Sequence, residues 1–155
     1  MKLYYAMAAA MLAAPVAAQD ADASGRLDLI CAGSGSATKQ RGATIFGDGD
    51  SASILGTRDV GFSDQVALWI EGQNGRLRMP RSMLPRIRGG EDGWFELRDI
   101  EWQENEITGT VAVSILNKPK FRVDRYTGAI SISGKSGDYA GGCERFDPET
   151  QQRAF

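Results

Sequence analysis

The pattern that decides the fold lies in residues 107–115, which read ITGTVAVSI. Ile107, Val111, Val113 and Ile115 fall on one side of an extended chain, and small or hydroxylated residues fall on the other. Successive side chains of a β-strand point to opposite faces, so this alternation predicts a strand with one buried face.

Shorter alternations of the same kind occur before and after this stretch, separated by turn-forming residues. Each reversal carries Asn, Gly, Pro, Asp or Ser, residues that favour tight turns. Reversals are predicted at Asn74-Gly75, Glu104-Asn105, Asn117-Lys118-Pro119, Tyr126-Thr127-Gly128 and Lys135-Ser136-Gly137-Asp138. The sequence therefore predicts about eight strands, near residues 26–31, 62–70, 76–79, 94–100, 107–115, 121–123, 130–132 and 139–146.

The fold class predicted from this pattern is all-β. Most connections after Phe62 are short, which favours a single small antiparallel meander. A meander of this length tends to curl until its open edges meet, so we expect it to close into a barrel, with a β-sandwich as the alternative.

Two segments between the predicted strands lack a regular apolar pattern. Residues 33–59 contain few large apolar side chains, which predicts a mobile loop with at most a short strand near residues 44–46. Residues 81–93 follow Pro80 and are rich in Arg, Pro and Gly, which predicts a second loop.

The N-terminal residues are typical of a secretory signal peptide. Lys2 precedes an uncharged, alanine-rich run, and small residues at Val16-Ala17-Ala18 provide a cleavage site. The run is too short for a membrane-spanning helix, which needs about 20 apolar residues. We expect residues 1–18 to be removed, residues 19–25 to form a flexible lead-in and residues 26–155 to form one β domain in the periplasm or outside the cell.

The C-terminal third contains VDRYTG at residues 123–128 and GGCE at residues 141–144, and it ends at Phe155. This combination resembles small exported proteins of Gram-negative bacteria that have no assigned function and that also carry an early cysteine, as Cys31 is here. The resemblance implies a hairpin turn and a disulfide-bearing strand. It implies no activity.

The two cysteines, Cys31 and Cys143, are predicted to form a disulfide. They lie in the first and the last predicted strand, which become neighbours if the sheet closes on itself. Export places the chain in an oxidising compartment, and a monomer with two cysteines allows a single pairing.

Composition argues against several functions. The formal charge of −2 becomes −3 without Lys2, which argues against nucleic acid as a partner because phosphate binding depends on Lys and Arg. The sequence has no histidine, so it lacks the commonest general base and the commonest metal ligand. With both cysteines paired, thiolate catalysis and thiolate metal sites are also excluded. We therefore expect no catalytic residues, no cofactor and no metal.

Two acidic patterns give only weak support to other chemistry. Carboxylates cluster at Glu91, Asp92, Glu96, Asp99, Glu101, Glu104 and Glu106, but their spacing singles out no acid–base pair of the glycosidase kind. Residues 47–51 resemble the start of a calcium loop, yet the sixth and twelfth positions do not carry the glycine and glutamate that an EF-hand requires.

The arginines around residues 81–93 suggest a binding surface. Five of them fall within thirteen residues, and Trp94 follows: Arg76, Arg78, Arg81, Arg86 and Arg88. Arginine forks match carboxylates and phosphates, and tryptophan can stack on a flat partner. We expect Arg81, Arg86, Arg88 and Trp94 to contact an anionic partner, unless nearby acids such as Glu91 and Asp92 neutralise them.

These observations favour a non-enzymatic binding protein that acts through a loop surface. The partner would be an envelope protein, for example a hydrolase to be inhibited, or an anionic polymer. A lipocalin-like carrier of a small ligand is the second hypothesis and requires a hollow barrel. A carboxylate-dependent hydrolase is the third, and it requires two acids facing each other across a cleft.

Overall fold

A computed structural model of the protein describes residues 25–46, 51–85 and 90–147. The signal peptide predicted at residues 1–18 and most of the lead-in lie outside the described residues. So do residues 47–50 of the calcium-like stretch, Arg86 and Arg88 of the arginine-rich loop, and Phe155.

The described chain forms eight antiparallel strands in a closed barrel. Each strand pairs with the next along the chain, and the last pairs with the first. The all-β meander and its closure are therefore confirmed, and the sandwich alternative is wrong. The strands are β1 Arg26–Phe46, β2 Ser51–Glu71, β3 Asn74–Arg78, β4 Trp94–Trp102, β5 Glu106–Val111, β6 Lys120–Asp124, β7 Ala129–Gly134 and β8 Gly137–Arg145, with a short 3-10 turn at Arg81–Met83.

The core is built from the inward-facing side chains, which occur at every second position along the strands. It is filled by aliphatic and aromatic side chains, the largest of which include Leu68, Ile70, Leu77, Phe121 and Tyr139. Apart from the Tyr139 hydroxyl, the described residues bury no polar or charged side chain. These side chains form one apolar core within the described barrel.

The loop predicted over residues 33–59 is wrong for its described parts, 33–46 and 51–59. Strands β1 and β2 pair continuously from Arg26↔Glu71 to Phe46↔Ser51. Only Leu29–Ala37 of β1 pairs with β8, so the outer part of this hairpin extends past the barrel. The side chains of residues 38–42 and 55–61 are exposed, and a strand solvated on both faces needs no apolar alternation. The sequence pattern therefore could not reveal it.

Two predicted boundaries also differ from the structure. The hairpin of β2 and β3 turns at residues 72–73 rather than at Asn74-Gly75, because Glu71 already pairs with Asn74. Gly72 has a φ of 58°, as a turn with glycine at its first central position requires.

The predicted strand at 107–115 is too long, since β5 ends at Val111. The N–H of Val111 donates to Pro119, which has no N–H to return the bond, so the ladder stops there. Ile115 is consequently 89% exposed.

The predicted disulfide between Cys31 and Cys143 is confirmed. The two residues are direct partners across the seam between β1 and β8, with their Cα atoms 3.9 Å apart. Cys31 is fully buried, and Cys143 packs against the core. The disulfide thus joins the first and last strands at the place where the barrel closes.

The strands of this seam approach closely because their facing residues are small. Ala32 pairs with Gly142, Gly33 with Gly141, and Ser34 with Ala140. A Cβ atom on Gly33 would lie 2.1 Å from the main-chain oxygen of Ala140, so only glycine fits there.

None of the described residues belongs to a helix that is long and apolar enough to cross a membrane.

Candidate functional site

The structure describes two of the four residues predicted to bind an anionic partner. Arg81 begins the 3-10 turn after β3, and its main-chain N–H donates to Asp64 Oδ2 at 3.1 Å. Its side chain is exposed. Trp94 begins β4 and is half-buried on the outer wall of the barrel. That these two residues form one surface with Arg86 and Arg88 stays a prediction.

Nearby acids and carbonyls engage two further arginines of the same region. Arg76 Nη2 donates to Glu91 Oε2 at 2.7 Å, and Arg78 Nε donates to the main-chain oxygen of Asp92 at 3.3 Å. Glu91, in the loop, therefore neutralises part of the positive charge that the arginines of β3 contribute.

A groove of about 390 Å³ lies on the outer wall formed by β1 to β4. We call it the wall groove and define it by six outward or flanking residues: Ile30, Ala67, Trp69, Arg76, Trp94 and Phe146. All except Arg76 are apolar or aromatic, and all are half-buried. A cluster of this kind on the outside of a sheet has no role in the core and is typical of a contact surface.

Strand register brings these residues together. Ile30 is the partner of Ala67, and Trp69 is the partner of Arg76. Trp94 pairs with Arg78, which places it diagonally next to Arg76 on the adjacent strand. Since residues two apart on a strand share a face, these outward positions of β1 to β4 form one continuous surface.

Arg26 and Asp28 form the edge of the wall groove. The Arg26 guanidinium donates two hydrogen bonds of 2.7 Å to the Asp28 carboxylate and lies 4.6 Å from the centre of the Trp69 ring. The hydrogen bonds to Asp28 raise the pKa of Arg26 above its ordinary value. The Arg26 guanidinium therefore covers one face of the Trp69 indole at the edge of the wall groove.

Arg76 is the polar group inside the wall groove. Its Nη2 atom is bound to Glu91, whereas its Nε atom is shielded from solvent and has no hydrogen-bond acceptor among the described residues. A shielded donor without an acceptor costs about 1–3 kcal/mol. A carboxylate entering the groove would recover that cost by accepting a charge-assisted hydrogen bond from Nε.

Sequence reasoning identified Trp94 but missed Trp69. In the alternation of residues 62–70, Trp69 falls on the face opposite Leu68 and Ile70, that is, on the outside of the sheet. A large aromatic residue on the outward face was the available signal.

The carboxylates between Glu91 and Glu106 do not form an acid pair in a cleft. Glu96 pairs with Arg98 at 3.2 Å, Glu106 pairs with Arg122, and Asp99 accepts a hydrogen bond from Thr110. They lie on separate parts of the surface, and each described acid of this group is at least partly exposed. Within the described part of the chain, no group of three acidic, histidine or cysteine side chains is arranged to hold a metal ion.

Tyr139 is an inward-facing phenol with a structural role. Its hydroxyl oxygen lies 3.2 Å from the main-chain oxygen of Cys31 and 3.1 Å from that of Asp64, so it donates to one of them. Burial raises the pKa of Tyr139, and the charge of Asp64 raises it further. The phenol therefore stays protonated at neutral pH and ties β8 to β1 or β2.

Comparison with protein-family models, with curated proteins and with solved structures gives no match to this chain.

Proposed function

We propose that this is a non-enzymatic binding protein of an oxidising compartment outside the cytoplasm, and that it holds an acidic segment of a partner protein in the wall groove. The sequence features of export and the Cys31–Cys143 disulfide support the location, since such bonds persist mainly in oxidising compartments. The observation that carries the function is the Arg76 Nε atom, which is shielded, has no acceptor among the residues that the structure describes, and lies between two outward tryptophans.

The chemistry of the wall groove favours a protein segment over a polyanion. Trp69, Trp94 and Phe146 offer apolar area, and Arg76 offers one place for a carboxylate. Trp and Arg are the residues that most often dominate the energy of protein interfaces. A highly charged polymer would instead need an extended row of cations. The occupant that fits is a glutamate or aspartate flanked by apolar side chains.

The two alternative functions have less structural support. A lipocalin-like carrier would hold its ligand in the barrel interior, which the packed core occupies. A carboxylate-dependent hydrolase would place two acids across a cleft, whereas Glu96 and Glu106 each pair with an arginine on the surface. The rigid barrel with an aromatic, basic wall fits partner binding best.

The proposal predicts the outcome of a peptide selection. A random peptide library displayed on phage, selected against the oxidised mature protein, should enrich peptides with an acidic residue next to an aromatic or aliphatic one. Arg76→Gln should weaken the enriched peptides by about tenfold, because one charge-assisted pair is lost. Added salt should weaken binding to the wild type more than to this variant.

Two further variants make the selection decisive. Arg122→Gln removes an exposed arginine on β6, away from the wall groove, and should leave affinity unchanged within twofold. Ala67→Glu leaves Arg76 in place but adds a negative charge inside the groove, and it should abolish binding of acidic peptides. The proposal would be refuted if the enriched peptides lacked acidic residues, or if they bound wild type and Arg76→Gln with equal affinity.

A further inference from the structure

The barrel has an open mouth at the end where β1, β5 and β7 begin and β4, β6 and β8 end. A cavity of about 550 Å³ lies there, formed by residues from all six of these strands or their ends. Its volume falls within the range of about 300–1,000 Å³ that is typical of small-molecule sites. The open mouth is inside the ring of strands, whereas the wall groove is outside it.

The floor of the open mouth is apolar and its rim is basic. The floor is the end of the packed core: Leu27, Leu29, Ile107 and Val123. Arg26, Arg125, Arg145, Asp124 and Trp102 stand around it. The lining thus carries three arginines and one aspartate on a protein whose overall charge is negative.

Arg125 is held in place by the turn between β4 and β5. Its Nη1 atom donates to the main-chain oxygens of Gln103 at 2.8 Å and Glu104 at 3.3 Å. No carboxylate of the described residues forms an ion pair with it. A fixed guanidinium with an unmatched charge is preorganised to bind an anion, because little side-chain freedom is lost on binding.

Two other charged residues of this lining, Asp124 and Arg26, are already engaged. Asp124 accepts hydrogen bonds from the main-chain N–H groups of Thr127 and Tyr126, and those bonds, with that of Thr127 first, lower the pKa of Asp124. Arg26 is matched by Asp28. Asp124 is therefore ionised at neutral pH but turned toward its own loop, and the positive charge of Arg125 remains available to a ligand.

Trp102 supplies a fixed apolar surface next to Arg125. Its indole Nε1 donates to the main-chain oxygen of Gly72 at 2.8 Å, and the Arg125 guanidinium lies 6.0 Å from its ring centre. Trp102 is 39% exposed, so part of its ring is accessible to a ligand although its polar atom is already bonded.

We infer that the open mouth binds a small amphipathic anion. Its carboxylate or phosphate group pairs with Arg125, and its apolar body lies against Trp102 and over Leu27 and Val123. The site differs from a lipocalin cavity because the core beneath it is filled, so the ligand is short and sits at the surface. This inference is independent of the wall groove and of the partner proposed for it.

Titration with octanoate, observed through the methyl resonances of Leu27, Ile107 and Val123, tests the site. Octanoate should shift these resonances, and Arg125→Gln should weaken its affinity about tenfold. Octanol, which has the same chain without the charge, should bind both proteins equally. Comparison with octyl phosphate shows whether the site binds phosphate or carboxylate more tightly. Whichever anion binds more tightly, the affinity of both should fall in Arg125→Gln.

Controls separate this site from general binding and from the wall groove. Arg122→Gln, three residues before Arg125 on the outside of β6, should leave octanoate affinity unchanged, as should Arg76→Gln in the wall groove. Arg125→Lys should restore part of the affinity, since it restores the charge without the fork. Failure of octanoate to shift the three methyl groups, or equal affinity in Arg125→Gln and wild type, would overturn the inference.

Discussion

Replacing Cys31 and Cys143 together by alanine will lower the free energy of unfolding by about 4–5 kcal/mol. The bond links residues 112 positions apart, so its loss frees a long loop in the unfolded chain. The two residues are direct partners across the seam between β1 and β8, and the covalent link holds the barrel closed where the first and last strands meet. Denaturant unfolding of the double variant against oxidised wild type measures the difference.

The wild-type protein unfolded in a reducing agent provides the matched control without a substitution. It should resemble the double variant, which separates the effect of the cross-link from that of the two lost sulfur atoms. If reduced and oxidised wild type unfold at the same denaturant concentration, the disulfide does not stabilise the closed barrel.

The second large effect is expected from Gly33→Ala. The added Cβ would lie 2.1 Å from the main-chain oxygen of Ala140 and 2.6 Å from the Cα of Gly141. Both obstacles are backbone atoms, which cannot rotate away as a side chain can, so β1 and β8 must separate at the seam. Overpacking of this kind costs about 3 kcal/mol, and thermal or denaturant unfolding will show it.

Gly142→Ala is the control for this substitution. Gly142 lies on β8 in the same seam, but a Cβ there meets no atom within 4 Å and its φ is not positive. We expect its free energy of unfolding to stay within about 0.5 kcal/mol of wild type. Equal stabilities for the two alanine variants would mean that the seam is not as tightly closed as the structure places it.

The parts of the fold that were predictable are those in which one face of a strand is buried. Phe121 and Val123, or Ile130 and Ile132, alternate because each strand must place apolar residues in the core, and the structure confirms them. The pairing of Cys31 with Cys143 followed from closure of the meander. These inferences depend on burial of one strand face, which produces an alternation of apolar and polar residues in the sequence.

The parts that were not predictable depend on neighbours rather than on burial. Residues 38–42 and 55–61 of the outer β1–β2 hairpin are exposed, so their pairing leaves no apolar alternation in the sequence. The end of β5 at Val111 is set by the partner residue Pro119 on the neighbouring strand, and a linear pattern does not show which residues will pair.

The candidate sites could not be predicted for the same reason, because they depend on which strands lie next to each other. Trp69 and Trp94 are 25 residues apart in the sequence and come together only through the register of β2 to β4. Their spacing in the sequence therefore gave no sign that they share a surface. Arg125 lies inside the VDRYTG motif, whose resemblance implied only a turn. Its anchoring by carbonyls of residues 103 and 104 became visible only when β4 to β6 were placed side by side.

Photo-crosslinking inside an exporting Gram-negative host tests the proposed function most directly. A photoreactive phenylalanine analogue at Ala67 lies in the wall groove, and the same residue at Ser131 on β7 lies outside it. We expect a discrete protein adduct from position 67 that disappears in the Arg76→Gln background, and none from position 131. An identical set of adducts from both positions, or an adduct from position 67 that persists without Arg76, would contradict it.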